Sequence, residues 1–315
     1  MVIKNEQFQT KLVKNSSAFF GFIFRLLILG GVSFVILYPL FTRTLVSLMP
    51  LEDVYDLSVN IYPKSFTLDN YIRAWNFLDM SELLPNTFLY PILISVAQTL
   101  AASVVAYGFS RFNFPLKNFL FALVIIAMVI PPDIRLLPLY LSFKSFDPFG
   151  LIQLFGGTPL NLLDTPWPFV LLGLTCTGLK NGFYVFLMHQ YYRGMPKELS
   201  EAAYVDGAGF IRAFATVFLP GASQIIITVF LFSFVWQYLD SLFTSVFAQH
   251  VPMLSIELSR LLTNADSVEA GISNLAQFSL VRNAAMMFLI IPLLILYLFC
   301  QRYFTQSIER SGLVG

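Results

Sequence analysis

The stretch NAAMMFLIIPLLILYLFCQRYF, residues 283–304, decides the fold class. Between Ala284 and Cys300 it holds no charged side chain, and Tyr297 is its most polar group. A bilayer's hydrocarbon core, about 30 Å thick, takes about 20 mainly apolar residues of helix to cross. Working outward, comparable stretches fall near 20–48, 83–109, 118–140, 167–190 and 221–247. The fourth of the six is interrupted by Lys180 and Asn181, and the third ends in Pro131, Pro132 and Pro138. Proline is tolerated in a spanning helix where neighbours or water satisfy the freed carbonyls, and it usually marks a kink. The pattern predicts an all-α, polytopic membrane protein with about six transmembrane helices.

Composition agrees. Of 315 residues, 57% are hydrophobic, 34 are Phe and only 12% are charged, about half the charge of a soluble domain. The mean hydropathy is +0.73. A net charge of +1 gives no basic excess for nucleic acid. Cys176 and Cys300 both lie in apolar stretches without a CxxC partner, which supports neither a disulfide framework nor a metal site. Lys4, Lys11 and Lys14 before an apolar run resemble a secretory signal, but the run continues to about Met49 and reads as an uncleaved first span.

Orientation follows from the cations. With the N-terminus inside, the inner segments hold 11 of them: Lys4, Lys11, Lys14, Arg25, Arg111, Lys117, Arg193, Lys197, Arg212, Arg302 and Arg310. The outer segments hold 5, namely Lys64, Arg73, Lys144, Arg260 and Arg282. Arg43, Arg135 and Lys180 lie in or at the edge of spans. Both termini are then cytoplasmic. The outer loop 49–82 is acidic, and the outer stretch SIELSRLLTNADSVEAG, residues 255–271, suits a surface helix.

The inner segment MPKELSEAAYVDGAGFIRAFATVFLP, residues 195–220, is the most informative. Pro196 suits a first helical turn, where its missing N–H costs nothing. Lys197 to Val205 are mostly good helix formers, and Asp206-Gly207 is a turn signal in which Gly207 can take a positive φ. A second short helix is expected from about Phe210 to Leu219, with Pro220 opening the fifth span. Ala202 and Ala203 give a small, close-packing face with the Glu201 carboxylate beside it. Such a surface suits docking into a groove on another protein.

These residues resemble the EAA loop of binding-protein-dependent ABC import permeases: Glu201-Ala202-Ala203, then Gly207 after three residues, Val217 after nine more, and Leu219-Pro220. The family usually has Ile at the position of Val217. The fuller form, with Pro196, Leu199, Asp206 and Ala208, looks like the carbohydrate branch, the maltose-type permeases. Ala106-Tyr107-Gly108 with Arg111-Phe112, Pro131 with Pro138-Leu139-Tyr140, and Gln301-Arg302-Tyr303-Phe304 resemble further family landmarks. The family-like core covers about 70–315 of a single permease domain, 1–315, with the coupling loop at 195–220. The tail from Ser307 departs from the Gly-rich, Lys-containing family ending.

The resemblance implies a bacterial cell-membrane permease subunit for a sugar or oligosaccharide. Its implied partners are a pair of cytoplasmic ABC ATPase subunits, a second permease and an external solute-binding protein. The chain has no GxxxxGK[ST] phosphate loop, so ATP and Mg belong to the ATPase partner; no catalytic, cofactor or metal residue is expected here. The coupling residues implied are Glu201, Ala202, Ala203, Asp206 and Gly207. For the sugar path, Trp236, Gln237, Tyr238 and Asp240 in the fifth span and Asn86 and Asn181 elsewhere are polar or aromatic groups at membrane depth, where such groups usually face a bundle interior or a water path. A secondary transporter would need coupling carboxylates within its spans, and Asp240 is the one candidate. An ABC permease for a non-sugar solute is the other alternative. A membrane enzyme would need clustered acid–base residues, and His189 and His250 are far apart.

Overall fold

In a computed structural model, residues 2–263 and 274–312 are described. Among them every regular element is helical, apart from one bridge between Phe146 and Leu160. Three helices are long and apolar enough to cross a membrane unbroken: Gly21–Ser47, Met80–Arg111 and Leu275–Gln301. Two further candidates are bent pairs. Lys117–Val129 with Pro132–Lys144 turns through 100°, and Phe210–Gly221 with Ser223–Leu239 through 78°. At the first bend Pro131 forces the preceding Ile130 into an extended conformation, which ends the helix.

The expected fourth span is not one continuous helix. It is Trp167–Leu174 and Asn181–Gly194, joined by a loop. Cys176 and Lys180 both adopt left-handed backbone conformations there, each costing roughly 1–2 kcal/mol for a residue with a Cβ. The loop keeps its amides satisfied: Thr177 and Gly178 both donate to the carbonyl of Leu172, and Cys176 to that of Gly173. The fifth span also opens later than Pro220. Pro220 sits inside the short Leu219–Gly221 turn, Ala222 makes the corner, and the long helix starts at Ser223.

The chain divides into two compact units. In the larger, Trp75–Ala265 and Phe288–Gly315, the Met80–Arg111 helix is the centre, packed against Asn181–Gly194, Ser223–Leu239 and Trp167–Leu174. It presents Ala97, Ala102 and Ala106, all buried. Small residues let spanning helices approach closely, and there packing and hydrogen bonds do the work that water-driven burial does in soluble cores. The surface helix expected after the fifth span is present as Leu254–Thr263; the part expected from Asn264 to Gly271 lies outside the described residues, as does the end of the tail.

In the smaller unit, Met1–Ala74 and Asp266–Met287, Asn70 donates through Nδ2 to the carbonyls of Ser47 and Met49, and Arg43 donates to Asn283 Oδ1 at 3.1 Å. Two carboxylates of the acidic loop are used internally. Asp53 is buried and accepts the Lys64 amide at 2.7 Å. Lys64 and Ser58 bind the Asp56 carboxylate and hold it well below the usual carboxylate range.

Candidate coupling site and translocation path

The segment after the fourth span forms two short helices. The first runs Glu198–Val205. It closes with a double bond pattern: the Ala208 amide donates to the Ala203 carbonyl at 2.9 Å and the Gly207 amide to the Tyr204 carbonyl at 3.0 Å. This Schellman closure needs a left-handed residue at the position of Gly207, whose φ is +78°. A Cβ there would meet nothing within 4 Å, so the glycine is required for its backbone and not for space. The second helix starts at Phe210, loosens into a π turn over Phe214–Phe218 and ends at Gly221.

Of the predicted coupling residues, Ala203 is buried, while Glu201, Ala202, Asp206 and Gly207 are exposed. Two apolar side chains stand out beside them, Val205 at 88% and Ile211 at 85% exposure. The helix pair therefore offers a mixed surface of one carboxylate, small residues and two unpartnered aliphatic groups. Its underside is aromatic. The Tyr107 ring has Phe112, Tyr192, Phe214 and Phe218 around it at centroid distances of 5.6, 5.9, 4.8 and 5.0 Å. Phe210 packs on Phe112 and Tyr204.

Arg111 ties this seat together. It donates through Nη2 to the carbonyls of Tyr192 and Met195, both at 2.8 Å, and its guanidinium lies 4.7 Å from the Phe218 ring centroid. One cation thus satisfies the carbonyls at the end of the Asn181–Gly194 helix and stacks on the π turn. Tyr192 shares a 2.7 Å hydrogen bond with Ser103. The sequence marked Tyr107 and Arg111 only as landmarks; their binding role has no local signal, because, Phe112 apart, the partners named here lie more than 80 residues away.

The candidate path residues are dispersed. Trp236 is half exposed, and the Lys180 ammonium lies 4.6 Å from its ring centroid. Gln237 is buried and lines a small cavity with Tyr90, Ile94, Phe169 and Thr244. Tyr238 is buried between Phe88 and Phe234. Asn181 is buried and donates to the Gly173 carbonyl, while its Oδ1 has no partner. Asn86 is half-buried, and it is the next residue, Thr87, that makes the long-range bond, accepting the Leu254 amide at 2.9 Å. Asp240 accepts the Thr244 amide and hydroxyl at 2.9 Å, which commits its carboxylate to the start of the Leu242–Phe247 helix. Between the helices Gln98 accepts a hydrogen bond from Ser233 and donates to the Leu179 carbonyl.

An all-helical membrane protein with bent and broken spans, polar groups between them and a sealed helix pair joining two of them has the build expected of a permease-type transport subunit. The family model described as binding-protein-dependent transport system inner membrane component matches residues 98–310, and the chain belongs to that family. It is similar to the sn-glycerol-3-phosphate transport system permease protein UgpE of Yersinia pestis, 25% identical over 309 residues, covering 95% of this chain and 99% of the relative. It is also similar to the arabinooligosaccharides transport system permease protein AraQ of Bacillus subtilis, 26% identical over 293 residues, covering 90% and 92%. Its fold is that of a chain in a bacterial ABC transporter involved in the import of the acidic polysaccharide alginate, with a TM-score of 0.71, 21% identity, and coverage of 92% and 98%. The protein is therefore an ABC importer permease of the inner-membrane component type, a transport subunit of a family that in general implies an ATPase, a second permease and a binding protein as partners.

Proposed function

We propose that this chain forms one half of the translocation path for a sugar or oligosaccharide delivered by an external binding protein. In this reading the whole of 1–315 acts as one permease domain with both termini cytoplasmic. Its partner in the membrane is a paralogous permease, and ATP and Mg are held by a separate pair of ATPase subunits. The observation that carries the reading is the helix pair 198–221, with Glu201, Ala202, Val205, Asp206, Gly207 and Ile211 outward and an aromatic seat inward. Each ATPase would grip such a pair in a groove. The Arg111 and Tyr107 seat would pass the resulting displacement to the second, fourth and fifth spans at once. Sugars are recognised by aromatic faces and planar polar side chains. Trp236, exposed with Lys180 over its ring, supports a path along the outer half of the fifth span, with Gln237 and Tyr238 next to it in sequence and Asp240 holding the helix corner beyond; Asn86 and Asn181 would line the path on other helices.

The test is a gentle-detergent pull-down from the native membrane with mass spectrometry, alongside a variant carrying Glu201→Ala and Gly207→Asp. Wild type should bring down an ABC ATPase and a second permease, and the variant should lose the ATPase alone. A folded wild type that brings down no ATPase in several detergents would overturn the reading and favour a secondary transporter.

A further inference from the structure

Two of the expected spans break, and each break carries a cation. Arg135 closes the short helix Pro132–Arg135 at the 100° bend of the third span. Lys180 ends the loop that interrupts the fourth. The two breaks are tied to each other: Arg135 Nη1 donates to the Thr177 carbonyl at 2.8 Å, three residues before Lys180. Irregular backbone at membrane depth persists only where it is buried in protein or lines a water-filled cavity, and Lys180 and Trp236 are both exposed.

Among the described residues neither cation has a carboxylate partner. The ion pairs among the described residues are Lys64 with Asp56, His250 with Asp164, and Arg260 with Glu257. Asp133, two residues before Arg135, is exposed and pairs with neither cation. The one partner seen for the Lys180 ammonium is the face of Trp236. Its charge is reinforced by the Asn181–Gly194 helix, which begins at the next residue and points its positive dipole end at the same place. Charged groups within spans usually face the bundle interior or a water-filled path.

Building on the permease reading, we propose that Lys180 and Arg135 form an anion-selecting station on that path, and that the cargo is a carbohydrate or polyol bearing a carboxylate or phosphate. The cations meet the acid group and the indole of Trp236 meets the C–H face. Kinship leaves this open, since relatives are named for both a phosphate ester and arabinooligosaccharides. An anionic lipid headgroup carries the same chemistry, and the lipid arm of the experiment separates the two sources.

The experiment uses the intact transporter, purified from its native membrane with its ATPase, second permease and binding protein, in phosphatidylcholine liposomes. ATP hydrolysis and uptake are measured with trigalacturonate, sn-glycerol 3-phosphate and maltotriose. An anionic probe should stimulate and maltotriose should not. Lys180→Gln and Arg135→Gln should each weaken apparent affinity for the anion by at least about tenfold, Lys180→Arg should retain it, and the ATPase should co-purify with all of them. Stimulation by maltotriose, by neither anion, or unaltered affinity in both Gln variants overturns the proposal while the co-purified ATPase leaves the permease reading standing. Absence of the ATPase from wild type overturns the permease reading itself. The set is repeated with phosphatidylglycerol added; a defect seen only there assigns the cations to lipid and overturns the proposal.

Discussion

Around Tyr107 four aromatic rings and a guanidinium close on one another, and the backbone they hold ends in a regular Schellman turn. Around Lys180 the backbone is irregular, two residues with side chains sit in left-handed conformations, and a cation stands beside an exposed indole. Both regions belong to the same compact unit, and the turn at Gly207 follows Lys180 by 27 residues along the chain. On the proposed function the difference separates two tasks. A joint that transmits force gains from dense packing with few alternatives. A surface that a polar solute must pass gains from polar groups whose partners can be exchanged.

Substitutions can break or sharpen this contrast. Arg111→Ala should have the largest effect, because it removes two charge-assisted hydrogen bonds and a ring contact. We expect a loss of roughly 2–4 kcal/mol, read as a lower thermal midpoint in detergent together with lost uptake. An unchanged midpoint would mean that the seat is not a rigid joint. Gly207→Val forces a β-branched residue into positive φ at roughly 1–2 kcal/mol; it should cut ATPase co-purification while leaving Lys180 and Trp236 undisturbed.

Gly178→Ala acts on the other region. Its Cβ would fall 2.8 Å from Asn181 Oδ1 and 2.9 Å from Gln98 Nε2. The strain, about 1 kcal/mol, should change uptake kinetics and leave ATPase binding intact; loss of the ATPase instead would erase the distinction between the regions. The smallest effect belongs to Asp164, which lies in neither. Burial opposes its charge, but the His250 amide and imidazole, each at 2.9 Å, outweigh that and lower its titration point. The contribution is present above the unfolded carboxyl pKa of about 3.9 and is lost as pH falls through the lower folded value. Asp164→Asn should therefore lower the thermal midpoint by about 1 °C near pH 7, with the gap to wild type closing at acidic pH.

Most of the architecture was legible because a bilayer imposes a length and an apolar content that composition reveals directly. The helix pair 198–221 was legible because its closure depends on one glycine at one spacing, and Gly207 adopts the positive φ expected of it. The corner at Ala222 was not, since proline attracts the reading to Pro220 although proline is acceptable within a first helical turn. The loop at 175–180 left only Lys180 and Asn181 as signs, because its left-handed residues are a cysteine and a lysine, types that carry no turn signal. Asp240 read as a polar group at membrane depth; which backbone amides it would meet depends on how the next helix turns, which residue types do not specify. Arg111 was hidden for a related reason: it binds carbonyls, and every residue has one.

The corner at Ala222 joins a helical arm of about 18 Å to one of about 25 Å, at 1.5 Å per residue, and sets them 78° apart. That is the shape of a bell crank. In the proposed coupling, a push on the shorter arm would emerge at the tip of the longer one turned to a new direction and enlarged about 1.4-fold, in proportion to the arms. What such a linkage must resist is play at its pivot, so stiffness at the corner, more than strength of grip on the outer surface, sets how much of each stroke arrives at the solute.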